Sequence, residues 1–174
     1  MEEVKFVRDN EILEHAFIAR GRFRNFSGVK TDVNKTGRRL FTVFLPYEVA
    51  MELGDIGWPI KEMAPYREGD DPTYKLEIEA SWDTKGGQFH PPIIKMTSWD
   101  GVETELNEQT VGMLDRADIV DAKVEIRPYN WDVNGKKGCK AYLVELDVKL
   151  KKPRRTLNAN LNRYNDDEGE EDEL

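Results

Sequence analysis

A β-hairpin signal near the end of the chain constrains the fold more than any other feature. The run Asn134-Gly135-Lys136-Lys137-Gly138 has the chemistry of a tight turn, because Asn and Gly tolerate the positive φ angles that such turns need. Apolar residues alternate with polar ones in the strand predicted after it, residues 139–150. A period of two is typical of a strand with one buried face. The predicted apolar positions are Tyr142, Val144, Leu146, Val148 and Leu150.

Strand-like patterns recur along the chain. We predict further strands at residues 16–26, 38–45, 74–82, 93–96 and 118–127. Helical spacing follows Pro46 over residues 47–57 and returns over residues 103–117. The sequence has no alternation of strands with crossover helices and no internal repeat. These elements predict an all-β protein with one or two short helices, folded as an oligonucleotide/oligosaccharide-binding (OB-fold) barrel; a β-sandwich is the alternative.

Charge is unevenly distributed between the body of the chain and its end. Residues 166–173 read DDEGEEDE and hold seven acids, so the net charge of −8 falls to −1 without them. Such a run repels itself and cannot bury apolar surface. We therefore expect one domain over residues 1–152 and a disordered tail, first basic and then acidic, over residues 153–174.

Several classes of protein find no support in the sequence. The single cysteine, Cys139, excludes an intramolecular disulfide framework, and the two histidines, His15 and His90, have no patterned partners. No nucleotide-binding glycine motif occurs, and no apolar run approaches the roughly 18 residues of a membrane helix. We expect no catalytic residue, no metal, no cofactor, no membrane association, and a soluble protein in the cytoplasm.

Residues 18–45 form a basic segment with interleaved aromatic rings. Seven Lys or Arg residues face one acid there, a local charge of +6. In an extended strand, residues two apart leave the same face, so Arg20, Arg22 and Arg24 would align with Phe26. A cationic ribbon with aromatic rings is typical of proteins that bind single-stranded nucleic acid. The alternative is a solvated basic hairpin whose phenylalanines pack in the core.

Two of the four tryptophans lie near lysines. Trp131 belongs to the lysine-rich hairpin and shares the parity of Tyr129 and Arg127, and Trp58 precedes Lys61 after a turn. Stacking of a base on an aromatic ring contributes roughly 1–3 kcal/mol and tolerates any base sequence. For any single tryptophan, packing in the protein interior is the competing interpretation.

Together these patterns predict a set of DNA-binding residues that converge in one trough. We expect bases to stack on Phe26, Trp58, Tyr129 and Trp131. We expect phosphates to be neutralised by Arg20, Arg22, Arg24, Lys35, Arg38, Arg39, Lys61, Lys136, Lys137 and Lys140.

An ordered series of short motifs resembles a known family. The series is Asn25-Phe26-Ser27-Gly28, Gly37-Arg38-Arg39-Leu40-Phe41, Gly57-Trp58-Pro59-Ile60-Lys61, Pro91-Pro92-Ile93, Leu114-Asp115, Pro128-Tyr129-Asn130-Trp131 and Gly138-Cys139-Lys140-Ala141-Tyr142-Leu143. It resembles the phage-encoded single-stranded DNA-binding proteins of OB-fold type, over about residues 16–150. Pro59 and Cys139 depart from the family's pattern. The acidic end is similar to the tails of replication single-strand binders, and the resemblance implies phage DNA replication or recombination in a bacterial host.

The expected function is non-enzymatic, largely sequence-independent binding of single-stranded DNA. The acidic tail would compete for the DNA groove, dock replication or recombination proteins, or only keep the protein soluble. The alternatives are an adaptor or DNA mimic that uses the acidic tail, a metal-dependent nuclease with scattered carboxylates, and a strand-annealing protein that tolerates duplexes. Whether the chain forms a homo-oligomer is left open.

Overall fold

A long antiparallel hairpin forms the centre of the structure, a computed structural model that describes residues 2–153. Each of its two strands is 15 residues long, and shorter strands pair along their edges. In chain order the strands are β1 (Lys5–Val7), β2 (Ile12–Glu14), β3 (Phe17–Ile18), β4 (Arg24–Asn25), β5 (Leu40–Leu45), β6 (Lys61–Met63), β7 (Thr73–Glu79), β8 (Ile93–Thr97), β9 (Glu103–Leu106), β10 (Ile119–Val133) and β11 (Lys136–Leu150). The helices are α1 (Tyr47–Asp55) and two 3₁₀-helices, Gly21–Phe23 and Val111–Arg116.

The strands join in one sheet with the order β1-β2-β10-β11-β7-β5-β3. In addition β4 pairs with β5, β6 with β7, and β8 with both β11 and β9. β11 runs parallel to β7 and β8, whereas β5 and β7, like β10 and β11, are antiparallel. The sheet is OB-like and not closed, and the predicted β-rich fold class is confirmed. Within residues 2–153, no helix is long and apolar enough to cross a membrane.

The core fixes which side of the sheet faces solvent. Phe41 and Val43 of β5 are fully buried, and they pair with Ile78 and Leu76 of β7, which are equally buried. Burying a large apolar side chain contributes about 1.5–3 kcal/mol, so these four residues hold one face of the two strands inward. The intervening residues of both strands therefore point to the opposite side of the sheet, where Thr42 is also buried but Phe44 is partly exposed and Glu77 is exposed.

Helix α1 covers part of this core, as the sequence predicts. Pro46 precedes its first turn with a φ of −67°, which suits a helix start. Val49, Ala50 and Leu53 form its buried side, and the helix packs against β7 and β1. Gly57 follows the helix end with a φ of 103°, a conformation that glycine adopts at little cost.

The predicted hairpin turn is confirmed. Val133 pairs with Lys136, which leaves a two-residue turn at Asn134 and Gly135. Both turn residues have positive φ angles, 52° and 79°. Two positive φ angles are the mark of a type I′ turn, whose twist matches that of the flanking strands.

A β-bulge at Val144 changes which side chains of β11 point toward the core. The register between β10 and β11 skips Val144, which has no partner on β10. Leu143, before the bulge, and Leu146, after it, are both buried. They are three residues apart, so strict alternation along the strand could not bury both. The single apolar face predicted for residues 142–150 is therefore wrong, because the extra residue turns Tyr142 outward.

The strand predicted over residues 16–26 is interrupted. The chain forms β3, then the 3₁₀-helix Gly21–Phe23, then β4. Gly21 has a φ of 67°, so the backbone leaves the extended conformation at this position. The alternation of side chains assumed for Arg20 to Phe26 does not hold across such a break.

The helix predicted over residues 103–117 is also wrong. Residues of β9 pair with β8, and Leu106 lies opposite Ile94. Only Val111–Arg116 is helical, as a short 3₁₀-helix. Pairing with a neighbouring strand has overridden the local helical spacing.

The predicted tail is the remaining element. All but the first residue of 153–174 lies outside the described residues, so its disorder and the domain boundary stay predictions.

Candidate nucleic-acid interface

Outward side chains of six strands and of the 3₁₀-helix Gly21–Phe23 form a surface that we call the aromatic face. Because β5, β7, β11 and β10 are neighbours, their outward residues align in rows across the sheet. One row runs through Leu40, Glu79, Tyr142 and Arg127, each the register partner of the next. The aromatic face comprises Phe17, Phe23, Phe44, Lys61, Lys75, Glu77, Glu79, Arg127, Tyr129, Trp131, Lys136, Lys140 and Tyr142.

Three phenylalanines cluster at the β3–β5 end of the aromatic face. The rings of Phe17 and Phe44 are stacked with centroids 6.2 Å apart, and Phe23 meets Phe44 edge-on at 5.3 Å. Phe17 is 57% exposed, although it is a large apolar residue. The Lys75 ammonium lies 5.5 Å from the Phe23 ring centre, and Lys61 is its register partner on β6. Flat rings and cations therefore stand side by side here.

A second cluster surrounds Arg127 at the β10–β11 end. The Arg127 guanidinium lies 3.9 Å from the centre of the Phe89 ring and 4.8 Å from that of Tyr142. Tyr129 contacts Tyr142 edge-on, with centroids 5.8 Å apart. Phe89 belongs to the loop between β7 and β8, so this loop folds over the edge of the aromatic face. Cation–π contacts therefore hold the Arg127 guanidinium against the Phe89 and Tyr142 rings at this end of the aromatic face.

Trp131 lies across the glycine opposite it. Trp131 and Gly138 are register partners in the hairpin. A Cβ atom built on Gly138 would stand 2.2 Å from Cζ2 of the Trp131 ring. Only glycine leaves room for the indole at this place, so Gly138 fixes the ring flat on the strand.

Charges alternate at the centre of the aromatic face. Oε1 of Glu79 lies 3.3 Å from Nη1 of Arg38 and 3.9 Å from Nζ of Lys140. Burial, and secondarily the Glu79 charge, raises the pKa of Tyr142, so its hydroxyl stays neutral at physiological pH. Burial lowers the pKa of Arg127, but an arginine remains charged.

Several predicted residues do lie together on the aromatic face. They are Lys61, Tyr129, Trp131, Lys136 and Lys140, and Arg38 joins them through Glu79. Arg22 is exposed, with its guanidinium 4.8 Å from the Phe23 ring centre.

Three predicted cations lie elsewhere. Arg20 is exposed and forms an ion pair with Asp118 at 2.9 Å. Lys35 is exposed on the loop between β4 and β5. Lys137 is the register partner of Asp132. Because it follows Lys136 directly on β11, its side chain points to the opposite side of the hairpin.

Arg24 requires a correction, because it is a structural residue. Its side chain is 6% exposed and donates four hydrogen bonds to backbone carbonyls. The acceptors, at 2.7–3.2 Å, are the carbonyl oxygens of Ile18, Ala19, Leu114 and Ala117. A buried guanidinium that donates to four backbone carbonyls has no access to a phosphate.

Phe26 and Trp58 also require correction, because both are buried. Phe26 is fully inaccessible and stacks on Phe41 with centroids 4.8 Å apart. Trp58 is 6% exposed and belongs to the core. Neither ring offers a face to a base, and the interpretation of these residues as core aromatics is the correct one.

The Arg39 side chain is only partly exposed and makes contacts within the protein. Its Nη1 donates to the Phe26 carbonyl at 2.8 Å, and its guanidinium lies 5.3 Å from the Trp82 ring centre. Glu108 approaches the other terminal nitrogen at 3.9 Å. These contacts tie the loop before β5 to neighbouring segments.

Sequence reasoning missed several residues of the aromatic face. Phe44 and Lys75 stand at the correct parity in strands that were predicted, so a closer reading of alternation would find them. Tyr142 was hidden by the bulge, and Phe23 by the 3₁₀-helix. Phe89 lies in an irregular loop, where no periodicity applies.

Among residues 2–153, no group of three or more His, Cys, Asp or Glu side chains is arranged to hold a metal ion. Burial raises the pKa of the Cys139 thiol, which therefore stays protonated at neutral pH.

The family model of the phage ssDNA-binding domain matches residues 1–164. The single-stranded DNA-binding protein of bacteriophage Enc34, in complex with ssDNA, is 9% identical; the match covers 88% of this chain and 93% of that chain, with a TM-score of 0.51. Another structure of the Enc34 protein is 8% identical, over 93% and 92% of the two chains, with a TM-score of 0.50. No curated protein matches the sequence.

At these identities, the likeness to the Enc34 protein concerns the fold alone. The family model, by contrast, covers nearly the whole sequence. The chain therefore belongs to the phage ssDNA-binding domain family, and it is a phage single-stranded DNA-binding protein with an OB-like fold.

Proposed function

We propose that the chain binds single-stranded DNA on the aromatic face, largely without regard to sequence, during phage replication or recombination in the host cytoplasm. The observation that carries the proposal is the alignment of exposed rings and cations in rows across four adjacent strands. Every base has a flat face, so stacking on these rings accepts any sequence. Lysines and arginines along the same surface neutralise phosphates.

The geometry favours single strands over duplexes. Rings such as Tyr129 and Trp131 lie on a sheet surface, where they reach a base only if it is unstacked. In a duplex the bases are stacked on one another, and only the phosphates would meet the lysines. Duplex binding would therefore be weaker and would lack the contribution from stacking.

The acidic tail is proposed to compete with DNA for the aromatic face. Its carboxylates carry the charge of phosphates but cannot stack, so a nucleic acid can displace them. The 21 residues after Pro153 span up to about 70 Å when extended. Leu150 and Tyr142 are eight residues apart on β11, or about 27 Å, so the tail is long enough to return. Docking of replication or recombination proteins is the second role proposed for the tail.

A titration of a labelled oligo-dT tests the binding proposal. Anisotropy should rise on adding protein, with weaker binding of a matched duplex. Log affinity should fall with log salt at a slope of about 0.7 per phosphate neutralised. No salt-sensitive binding of the single strand would refute the proposal.

Deletion of residues 166–174 tests the tail. Removing seven acids should tighten DNA binding at low salt and change it little at high salt, where charges are screened. Unchanged affinity at low salt would remove the competitor role and leave partner docking as the proposed role of the tail.

A further inference from the structure

A carboxylate stands at the centre of the aromatic face. Glu79 is the last residue of β7 and has Leu40 on one side and Tyr142 on the other. Its side chain is only 13% exposed, and Arg38 and Lys140, each 40% exposed, stand beside it. Both cations approach the same oxygen, Oε1. The second oxygen, Oε2, is in neither of these ion pairs.

Negative charge on the central strand constrains the path of a bound strand. Glu77 and Glu79 are consecutive outward residues at one end of β7, and Lys75 is the outward residue before them; the other cations of the aromatic face lie on the strands and loops that flank β7. A phosphate placed over the Glu77–Glu79 end of β7 would meet two carboxylates at short range, which is unfavourable. The phosphates are therefore expected over the flanking cations. The bases would then lie over β7, with their polar edges directed at Glu79.

We propose that Glu79 is a base-selecting residue, which favours bases with an exocyclic amino group and disfavours thymine. The inference rests on the proposed function, because it assumes that bases lie on the aromatic face. An ionised carboxylate only accepts hydrogen bonds. The N4 amino group of cytosine donates one, whereas thymine presents O4, another acceptor, at the same place. Stacking alone does not separate two pyrimidines in this way.

The expected preference for cytosine over thymine is small beside the general affinity for single strands. A single hydrogen bond to a charged acceptor in a partly solvated site changes affinity by about threefold to tenfold. The protein therefore remains a general binder, with cytosine-rich strands bound more tightly than thymine-rich ones of equal length.

The test compares oligo-dC with oligo-dT of about 15 nucleotides, a length that spans one OB-like domain. Labelled strands are titrated with the full-length protein at neutral pH, where cytosine is not protonated. The wild type should bind oligo-dC about fivefold more tightly. In Glu79→Gln the ratio should fall to about one, because the amide can donate to O4 of thymine as well as accept.

The ratio of the affinities for oligo-dC and oligo-dT separates base selection by Glu79 from a general effect of surface charge. Removing any negative charge from the surface tightens binding of both oligonucleotides alike, and loosening Arg38 or Lys140 would weaken both alike. Glu105→Gln is the matched control and should keep the wild-type ratio; Glu105 is an exposed residue of β9 and the register partner of Lys95 on β8. Equal binding of the two strands by the wild type, or an unchanged ratio in Glu79→Gln, would overturn the inference. Binding of neither strand would instead refute the proposed function, and the inference with it.

Discussion

Residues 18–45 and the β10–β11 hairpin both carry arginines and aromatic rings, but they present them differently. In the first region Arg24 and Phe26 turn inward and hold the fold together. In the hairpin, Arg127, Tyr129 and Trp131 lie on one outward face. The local charge of +6 made the first region the more conspicuous in sequence, yet part of that charge is structural.

The difference arises from which residues of each strand face the core. The hairpin keeps one register from Ile126 to Val133, and its odd-numbered residues face outward over that stretch. In the first region Ile18, Arg24 and Phe26 are all buried, so the even-numbered residues of the strands face the core both before and after the turn at Gly21. A cationic run in sequence therefore predicts a cationic surface only where its residues share the parity of the outward face.

Substitution of buried and exposed arginines should give the largest contrast. Arg24→Met leaves four carbonyls without their Arg24 donor, three of them in buried hydrogen bonds, so the free energy of unfolding should fall by about 3 kcal/mol or more. Arg127→Met should cost only about 1 kcal/mol of stability but weaken DNA binding. Urea unfolding and oligo-dT titration measure the two effects.

Arg20→Met is the control for Arg24, since its ion pair with Asp118 is exposed and contributes under about 1 kcal/mol. If the folded fraction of Arg24→Met lost as much DNA affinity as Arg127→Met, the structural role assigned to Arg24 would be wrong.

Tryptophan substitutions should separate the core from the aromatic face. Trp131→Ala removes one stacking ring, and DNA affinity should fall by about 1–3 kcal/mol with stability little changed. Trp58→Phe should do the reverse, because Trp58 packs in the core. Anisotropy of a labelled oligonucleotide is the suitable readout, since it does not depend on tryptophan emission. Loss of affinity in Trp58→Phe alone would contradict the assignment.

Gly138→Ala is a more selective way to disturb Trp131. The added methyl group would occupy space taken by the indole ring, so the ring must leave its position. DNA affinity should fall by about 1 kcal/mol, approaching that of Trp131→Ala. Because the two changes act on the same ring, the double variant should bind no worse than Trp131→Ala. Additive losses would show that Gly138 acts independently of the tryptophan.

The smallest expected effect distinguishes the two faces of the hairpin tip. Lys136 shares the face of Trp131, whereas Lys137 lies on the other side. Lys136→Ala should reduce the salt slope of DNA binding by about 0.7, the value for one phosphate contact on single strands. Lys137→Ala should leave the slope unchanged. Equal slopes for the two variants would show that strand parity does not govern phosphate contact here.

Much of the fold could be predicted because its signals are local. Alternation identified β7, β10 and β11, the Asn134-Gly135 pair identified the turn, and spacing after Pro46 identified α1. The helix predicted over residues 103–117 failed because strand pairing with β8 decides the structure there. Such pairing depends on residues distant in sequence, which a short window does not contain.

The candidate interface was harder to predict for a related reason. Tyr129 and Trp131 were found because β10 is regular around them, and Lys140 was found from its charge alone. Tyr142 was placed on the wrong face, because the bulge at Val144 leaves no clear local mark in the sequence. Phe26 was preferred to Phe23 because the outward parity was taken from the arginines, whereas Ile18, which shares the parity of Phe26, faces the core.

Photocrosslinking of a halogenated single strand tests most directly whether the aromatic face is the DNA interface. The chain offers exposed rings elsewhere, at Tyr47, Tyr66 and Trp99, so crosslinking sites can discriminate between surfaces. Crosslinked peptides, identified by mass spectrometry, should contain Tyr129, Trp131, Tyr142 or the Phe17–Phe23–Phe44 cluster. Crosslinks confined to Tyr47, Tyr66 or Trp99 would contradict the assignment of the interface.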